Sequence, residues 1–495
     1  QPSRTQWEER NKALHVHGRA LENIHSDGLT GVSYDICLRY DTDGHVSWNR
    51  RGLVITGASH LTVFLTSATD MFEKDPEAVC QSRLENALAK GYEAVRAAHI
   101  AEHSQWMNRC AFTMPDTRAD LPTDERIRAF AENKGGDDGL IALFFQYGRY
   151  LILNSSRPDS QLPAALQGVW NDDRACRMEW TDDMHLDINT QMNYYPAENT
   201  GLGDCVLPLL RWIKDVLVPN GQIMAKELYG AEGWCAHTVS NAFGWAAPGW
   251  DVFWGMSVAC GGWAATHIWE HYLYTGDRDF LAEYFETLYG SAQFLKSILM
   301  EDPKTGELLV CPSYSPENAF LWEGKGHALS AGGTYDTTVA RTMFSIVREA
   351  AKILGREDDF TRSLAETMEK LPPYRVGKHG QLMEWYHDFD EAWPDHRHTS
   401  HLLSLHPFNA IDPAQSPELA AAIQTTLNRR LGDNAQDIVY ANWAGALLIT
   451  YYARLLDREK AGEFVKPMIA FLSRDNMMIT HQGPTTSITG GIYEL

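Results

Sequence analysis

The chain has 495 residues, of which 44% are hydrophobic, 22% charged and 11% aromatic. That is the composition of an ordinary globular protein, with room for two to four domains at about 150 residues each, and it excludes disordered, collagen-like and disulfide-scaffold chains. Its 43 basic and 65 acidic residues leave a net charge of -22, which argues against a nucleic-acid backbone or an anionic membrane as partner, and no run of 18 apolar residues is present to span a bilayer.

Residues 28 to 68 read as strands. Val32 to Tyr40 alternates apolar and polar side chains, Asp43-Gly44 makes a turn, and Leu61 to Thr66 is a β-rich run. This is the pattern of the tail of a β-sheet domain. From Pro76 to Arg109 the spacing becomes helical, with Leu84, Leu88, Tyr92, Val95 and Ala98 on one face, which predicts a helical linker. Beyond Leu121 to Glu125 almost everything is helical, with Asp124 as the expected cap. Two kinds of helix alternate there. Some are amphipathic, whereas Leu140 to Asn154 and Gly261 to Leu273 are apolar nearly all round and are expected to be buried on all sides. No fixed period appears, so self-similar solenoid repeats are disfavoured. Buried inner helices alternating with amphipathic outer ones imply a closed helical toroid, its site carried on long loops at one end.

Chemistry-bearing residues concentrate in four places. The first runs from Leu162 to Asp172 and on through His185, Asp187 and Asn189 to Pro196. In an extended segment His185, Asp187 and Asn189 share a face, and three polar groups aimed one way are costly without a ligand; capping of a helix starting near Thr190 explains Asp187 and Asn189 equally well. The second joins Gly233 to His237 with Gly249 to Gly255. Its three tryptophans, Trp234, Trp250 and Trp254, suit an aromatic-lined pocket, with loop packing expected for at least one. The third, Cys311 to Asn318, holds Glu317 in a Pro-punctuated loop beside aromatics, where a raised pKa fits a general acid. The fourth, Asp395 to His401, carries an H-x-H-x-x-H spacing compatible with zinc. Hydrogen bonds from Arg397 and its neighbours to a polyhydroxylated ligand are the preferred reading, and no metal is assigned. Sixteen Trp, 20 Tyr and 18 Phe exceed ordinary core needs and suit stacking on sugar faces. The eight cysteines lack any C-x-x-C pair and read as buried thiols. There is no G-x-G-x-x-G, P-loop, G-x-S-x-G or H-E-x-x-H, which removes most of the case for nucleotide chemistry and serine hydrolysis.

Taken in order, the segments L-P-T-D-E-R (Leu121 to Arg126), F-Q-Y-G-R-Y (Phe145 to Tyr150), S-S-R-P (Ser155 to Pro158), L-Q-G-V-W-N (Leu166 to Asn171), M-N-Y-Y-P-A-E (Met192 to Glu198), W-E-H-Y-L-Y-T-G-D (Trp269 to Asp277), S-P-E-N (Ser315 to Asn318) and H-R-H-T-S-H-L (His396 to Leu402) resemble glycoside hydrolase family 95. The resemblance covers most of the chain from about residue 28. It implies a mainly α protein: an (α/α)6 barrel catalytic domain over 121–495, lacking its last helix, preceded by the C-terminal part of an N-terminal β-sandwich over 1–72 and a helical linker over 73–120.

The resemblance further implies an inverting exo-hydrolase that releases terminal α-L-fucose from a fucosylated oligosaccharide or glycan without cofactor. Glu317 matches the general acid and Asn189 one of two water-positioning asparagines. Asp187 stands where the second would be, and so is a candidate base. The family's helper aspartate lies in a D-G-N motif that this sequence stops short of. His185 matches the position beside the C5 substituent and favours fucose over L-galactose. Arg397, His398 and Asn171 match sugar-binding residues, and Trp250 or Trp254 stacks on the sugar at or beyond the leaving group. The alternatives are an α-L-galactosidase of the same family, a catalytically inactive carbohydrate-binding fragment, or an α/α-toroid polysaccharide lyase. Gln1 in first place, no leader-like segment after it, and an ending at Gly490 to Leu495 without a terminating signal read as a processed chain or fragment, so the compartment and oligomeric state are not read.

Overall fold

The computed structural model describes residues 6–10, 13–20, 31–49, 52–133, 135–170, 182–249, 251–432 and 442–479. Contacts divide the chain into two units, 1–108 and 109–495.

The first unit is an antiparallel sheet with a helix on one face. Its strands β1 (Gln6–Arg10), β2 (Ala13–Arg19), β3 (Ser33–Thr42) and β6 (Leu61–Thr69) lie in the order β1-β2-β3-β6, and β4 (His45–Asn49) and β5 (Gly52–Thr56) form a separate hairpin. Helix α1 (Pro76–Lys90) starts at Asp75, whose carboxylate accepts the Ala78 N–H, with Pro76 in the first turn. It sets Cys80 and Leu84 against Cys37 and Ala68 of the sheet, a small core of its own. The single apolar face expected from Leu84 to Ala98 does not exist. Gly91, at φ 78°, ends α1 and redirects the chain. In the following helix α2 (Tyr92–Met107) no described residue is buried, and Tyr92 and Val95 are exposed.

The second unit is mainly helical. Its elements are α3 (Thr123–Asn133), α4 (Asp138–Ser155), β7 (Met184–His185), α5 (Asn189–Asn199), α6 (Leu207–Trp212), α7 (Val218–Tyr229), β8 (Val239–Ser240), α8 (Val252–Gly255), α9 (Cys260–Thr275), α10 (Arg278–Ser297), β9 (Leu299–Glu301), β10 (Leu308–Val310), β11 (Ser313–Tyr314), β12 (Phe320–Trp322), β13 (Lys325–His327), β14 (Leu329–Ser330), α11 (Thr334–Leu354), α12 (Asp359–Lys370), β15 (Asp390–Glu391), α13 (Pro417–Leu431), α14 (Asn442–Arg454) and α15 (Arg458–Pro467). Helix α9 packs against α5, α10 and α11, and α11 in turn against α10 and α12. α9 is buried from Cys260 to Ala265 and at His267, Ile268 and His271, but its end is open at Leu273. α4 is likewise one-sided, with Leu140, Phe144 and Leu151 to Leu153 inside and Tyr150 exposed, so neither helix is enclosed all round. Asp124 lies inside α3 and not at its cap. Asp137 caps the next helix, accepting the Leu140 N–H while it pairs with buried Arg126 at 2.8 Å.

Candidate active site

The site is assembled at the starts of α5 and α11 and from the loops that precede them. Strand β7 brings His185 up to α5, but the extended segment stops there. Residues 186–188 turn, and Asn189 is the first helical residue, behind an Ile188 cap that makes no side-chain bond. The period-two face through Asn189 and the capping role of Asp187 and Asn189 are therefore both replaced by a turn. The turn still sets carboxylates on both sides of the imidazole: Asp183 Oδ2 lies 3.2 Å from His185 Nδ1, and Asp187 Oδ1 lies 3.2 Å from Nε2. Burial opposes a charge on His185, but Asp183 and Asp187 outweigh it and hold the ring protonated well above the usual histidine range.

Glu317 reaches the same place from the loop after β11. It is buried, and its Oε2 accepts from Arg397 at 2.7 Å and lies 3.1 Å from His398 Nε2. Donor atoms of His185, Asp187 and Glu317 lie within 4.8 Å of one another, so residues 185, 187, 317, 397 and 398 form one cluster although they are far apart in the chain. The expected upward shift of Glu317 does not occur. Burial pushes its pKa up, but the charges of His398, Arg397 and His185 pull it well below the ordinary carboxylate range.

What holds the Glu317 loop is a second buried carboxylate that the sequence reading missed. Glu384 accepts from Ser315 Oγ at 2.7 Å, Asn318 Nδ2 at 3.1 Å and Arg430 at 2.5 Å. Its signal was present, an acid inside the apolar run Leu382-Met383-Glu384-Trp385, where an unpaired charge is too costly to persist. Below it Asp336, near the start of α11, accepts from Ser313 Oγ at 2.6 Å and from the Tyr314 N–H at 2.9 Å. Burial pushes its pKa up to about 7 against those bonds. The three histidines of H-x-H-x-x-H take different tasks: His398 meets Glu317, His401 Nδ1 lies 3.9 Å from Glu384, and His396 Nδ1 accepts the His398 N–H.

One aromatic rim is visible beside the cluster. His398 packs edge-on to Trp443 at 4.4 Å, His396 lies 5.9 Å from Trp393, and Trp393 meets Phe253 of α8 at 6.3 Å. Trp254 follows Phe253 and is 44% exposed, so its ring is open to a ligand. The loop that carries it closes tightly: the Gly249 N–H bonds to Gly255 O at 3.1 Å, and a Cβ on Gly255 would lie 2.4 Å from the Gly249 backbone. Tyr314 ties this loop to the Glu317 segment by donating to Phe253 O. Trp234, by contrast, is core, 1% exposed with its N–H on Thr287 O. Asn171 and Trp250 lie outside the described residues.

A buried carboxylate gripped by cations, with an ion-paired histidine and exposed rings beside it, offers hydrogen-bond donors, acceptors and stacking faces to a polyhydroxylated ligand. Residues 91–490 match the profile described as Glycosyl hydrolase family 95 catalytic domain, so the chain belongs to glycoside hydrolase family 95. It is 34% identical to Alpha-L-fucosidase 2 of Arabidopsis thaliana over 401 residues, covering 79% of this chain and 46% of that protein. It is 33% identical to Probable alpha-fucosidase A of Aspergillus niger over 365 residues, covering 71% of this chain and 44% of that protein. The chain thus spans about half the length of these relatives. Among solved structures it shares its fold with a putative kojibiose phosphorylase from the human microbiome, at TM-score 0.61 and 9% identity over 97% of this chain and 67% of the other.

Proposed function

We propose that the chain carries the active site of an inverting exo-α-L-fucosidase, built on an (α/α)6 barrel that follows part of a β-sandwich in the sequence. The observation that carries this reading is the burial of Glu317 with Arg397 and His398 on one oxygen, within 4.8 Å of donor atoms of His185 and Asp187, in a chain whose relatives are named α-fucosidases.

In this reading Glu317 protonates the glycosidic oxygen. At rest it is ionised, with Arg397 and His398 on its Oε2, and it takes up the proton it delivers from solvent once the sugar is bound. A sugar oxygen that displaces Arg397 removes a cation from the carboxyl and raises its proton affinity when protonation is required. His185 contacts the C5 side of the sugar, Arg397 and His398 its hydroxyls, and Trp254 the face of the sugar beyond the bond. Asn189 positions the attacking water.

Asp187 is assigned the role of polarising Asn189 and holding His185. Its nearest oxygen lies within 4.8 Å of Glu317, closer than the roughly 6.5–9.5 Å that admits a water between acid and base in inverting enzymes.

The test is fucose release from a 2'-fucosylated oligosaccharide, with the anomer of the product followed by NMR. First-formed β-L-fucose supports inversion; α-L-fucose, or no release of fucose, overturns the reading. His185→Thr tests the sugar: a shift toward L-galactosides is expected, and unchanged preference for fucose removes His185 from that role.

A further inference from the structure

The sheet of the first unit carries a second group of histidines, carboxylates and thiols that hydrolysis does not use. His15 and His17 alternate on β2, so both side chains leave one face. The register sets each opposite another donor on β3, His15 against Cys37 and His17 against Asp35. His15 Nδ1 lies 3.3 Å from Cys37 Sγ, and His17 Nδ1 bonds to Asp35 Oδ1.

Helix α1 packs over this face and adds two donors in its first turns. Glu77 Oε1 lies 4.0 Å from His15 Nδ1, and the Cys80 thiol donates to the Asp35 carbonyl at 3.4 Å. Donor atoms of His15, His17 and Glu77 lie within 4.8 Å of one another. His15, Cys37 and Cys80 are buried, whereas His17 and Glu77 are about one-third open, which leaves a way in from solvent.

We propose that His15, His17 and Glu77, with Cys37 as fourth donor, form a binding site for one divalent transition cation of the zinc type. Imidazole, carboxylate and thiolate are the donor types such ions take in fourfold sites. Bonds of about 2.0–2.3 Å set tetrahedral donors roughly 3.3–3.8 Å apart; His15, His17 and Glu77 already lie within 4.8 Å of one another, and Cys37, 3.3 Å from His15 but outside that group, must turn toward it to complete the shell. Cys37 binds as thiolate and gives its proton to solvent. Asp35 holds the His17 ring from the outer shell, a placement that fixes ring orientation in metal sites.

The experiment uses the whole chain, reduced and stripped with a chelator, and titrates it with Co2+ while recording the visible spectrum. One equivalent should bind with the intense bands of a fourfold cobalt site, accompanied by a sulfur-to-metal band that Cys37→Ser removes. H17Q/E77Q alters only partly open side chains, so the fold is retained, and it should weaken binding at least ~10²-fold. Asp35→Asn should weaken it roughly 10–100-fold. H185Q/D187N, which breaks the His185–Asp187–Glu317 cluster, should leave it unchanged. Absence of a bound equivalent, binding indifferent to H17Q/E77Q, or binding lost in H185Q/D187N overturns the proposal, and a sulfur band that persists in Cys37→Ser removes Cys37 from the site.

Discussion

Glu317 and Glu384 are both buried carboxylates facing an arginine and a histidine, yet the loop around one and the platform around the other are built for opposite ends. Glu384 divides its bonds over both oxygens, Oε1 to Ser315 and Oε2 to Asn318 and Arg430. Glu317 receives Arg397 and His398 on Oε2 alone. A carboxylate bonded on both oxygens is a structural post, and one gripped on a single oxygen keeps its other edge for chemistry. The difference also explains how the Glu317 loop is held. The residues that fix the loop, Ser315 and Asn318, flank Glu317 and bond to Glu384, so the carboxylate proposed as the acid is placed by its neighbours' bonds as well as its own.

The largest effect expected from breaking this contrast is on turnover. Glu317→Gln should lower kcat for a fucosylated oligosaccharide by roughly 10²–10⁴-fold, the usual worth of a general acid, with the sugar still bound in a calorimetric titration. Turnover within threefold of wild type would return Glu317 to the status of an ordinary buried acid. Next in size is Arg430→Met, which leaves the charge of Glu384 buried without its closest cation. Removing one partner of such a pair costs about 3–5 kcal/mol, to be read from denaturant unfolding. Activity should fall with it, because Ser315 and Asn318 lose a fixed acceptor. An unfolding midpoint unchanged by Arg430→Met would mean that Glu384 is not the post described.

A third measurement sharpens the contrast through pH. His185 has its proton held above the ordinary histidine value by Asp183 and Asp187. Its contribution to stability is therefore full below about 6.5, the unfolded value, and is lost as pH rises through the higher folded value. Glu317 runs the other way: its lowered pKa contributes above the unfolded value of about 4.3, and that contribution is lost only as pH falls below it. Thermal unfolding of wild type and His185→Gln should therefore converge as pH is raised from about 6.5. Parallel curves would show that His185 carries no retained proton.

These networks also show where sequence reading reaches. Residues 185, 187, 317, 397 and 398 were singled out by the residue types of their short segments together with the family resemblance, and the fold brings them into one cluster. What could not be read was the sign of the charge around Glu317. Arg397 and His398 lie some 80 positions away, so the apolar neighbours in its own loop suggested a rise where the folded cluster produces a fall. Glu384 escaped for the converse reason: its own segment is apolar, and its partners come from residues 315, 318 and 430. In the first unit the helical spacing was legible, but one face was extended across Gly91, whose backbone ends the helix whatever the side chains beyond it suggest.

The smallest effect separates the two visible tryptophans of the Gly-rich loops, which their sequences present alike. Trp254 is 44% exposed on the rim, whereas Trp234 is 1% exposed and bonded to Thr287 O. Stacking of an aromatic ring is worth about 0.5–1.5 kcal/mol beyond area, so Trp254→Ala should weaken an oligosaccharide by ~2–10-fold with the unfolding midpoint unchanged. If Trp254 stacks beyond the scissile bond, as proposed, the loss belongs to the leaving-group side, and binding of free fucose should not change. Equal losses for fucose and for the oligosaccharide would move Trp254 to the terminal sugar itself. A loss of stability in its place would make it a packing residue, the role that the burial of Trp234 already defines.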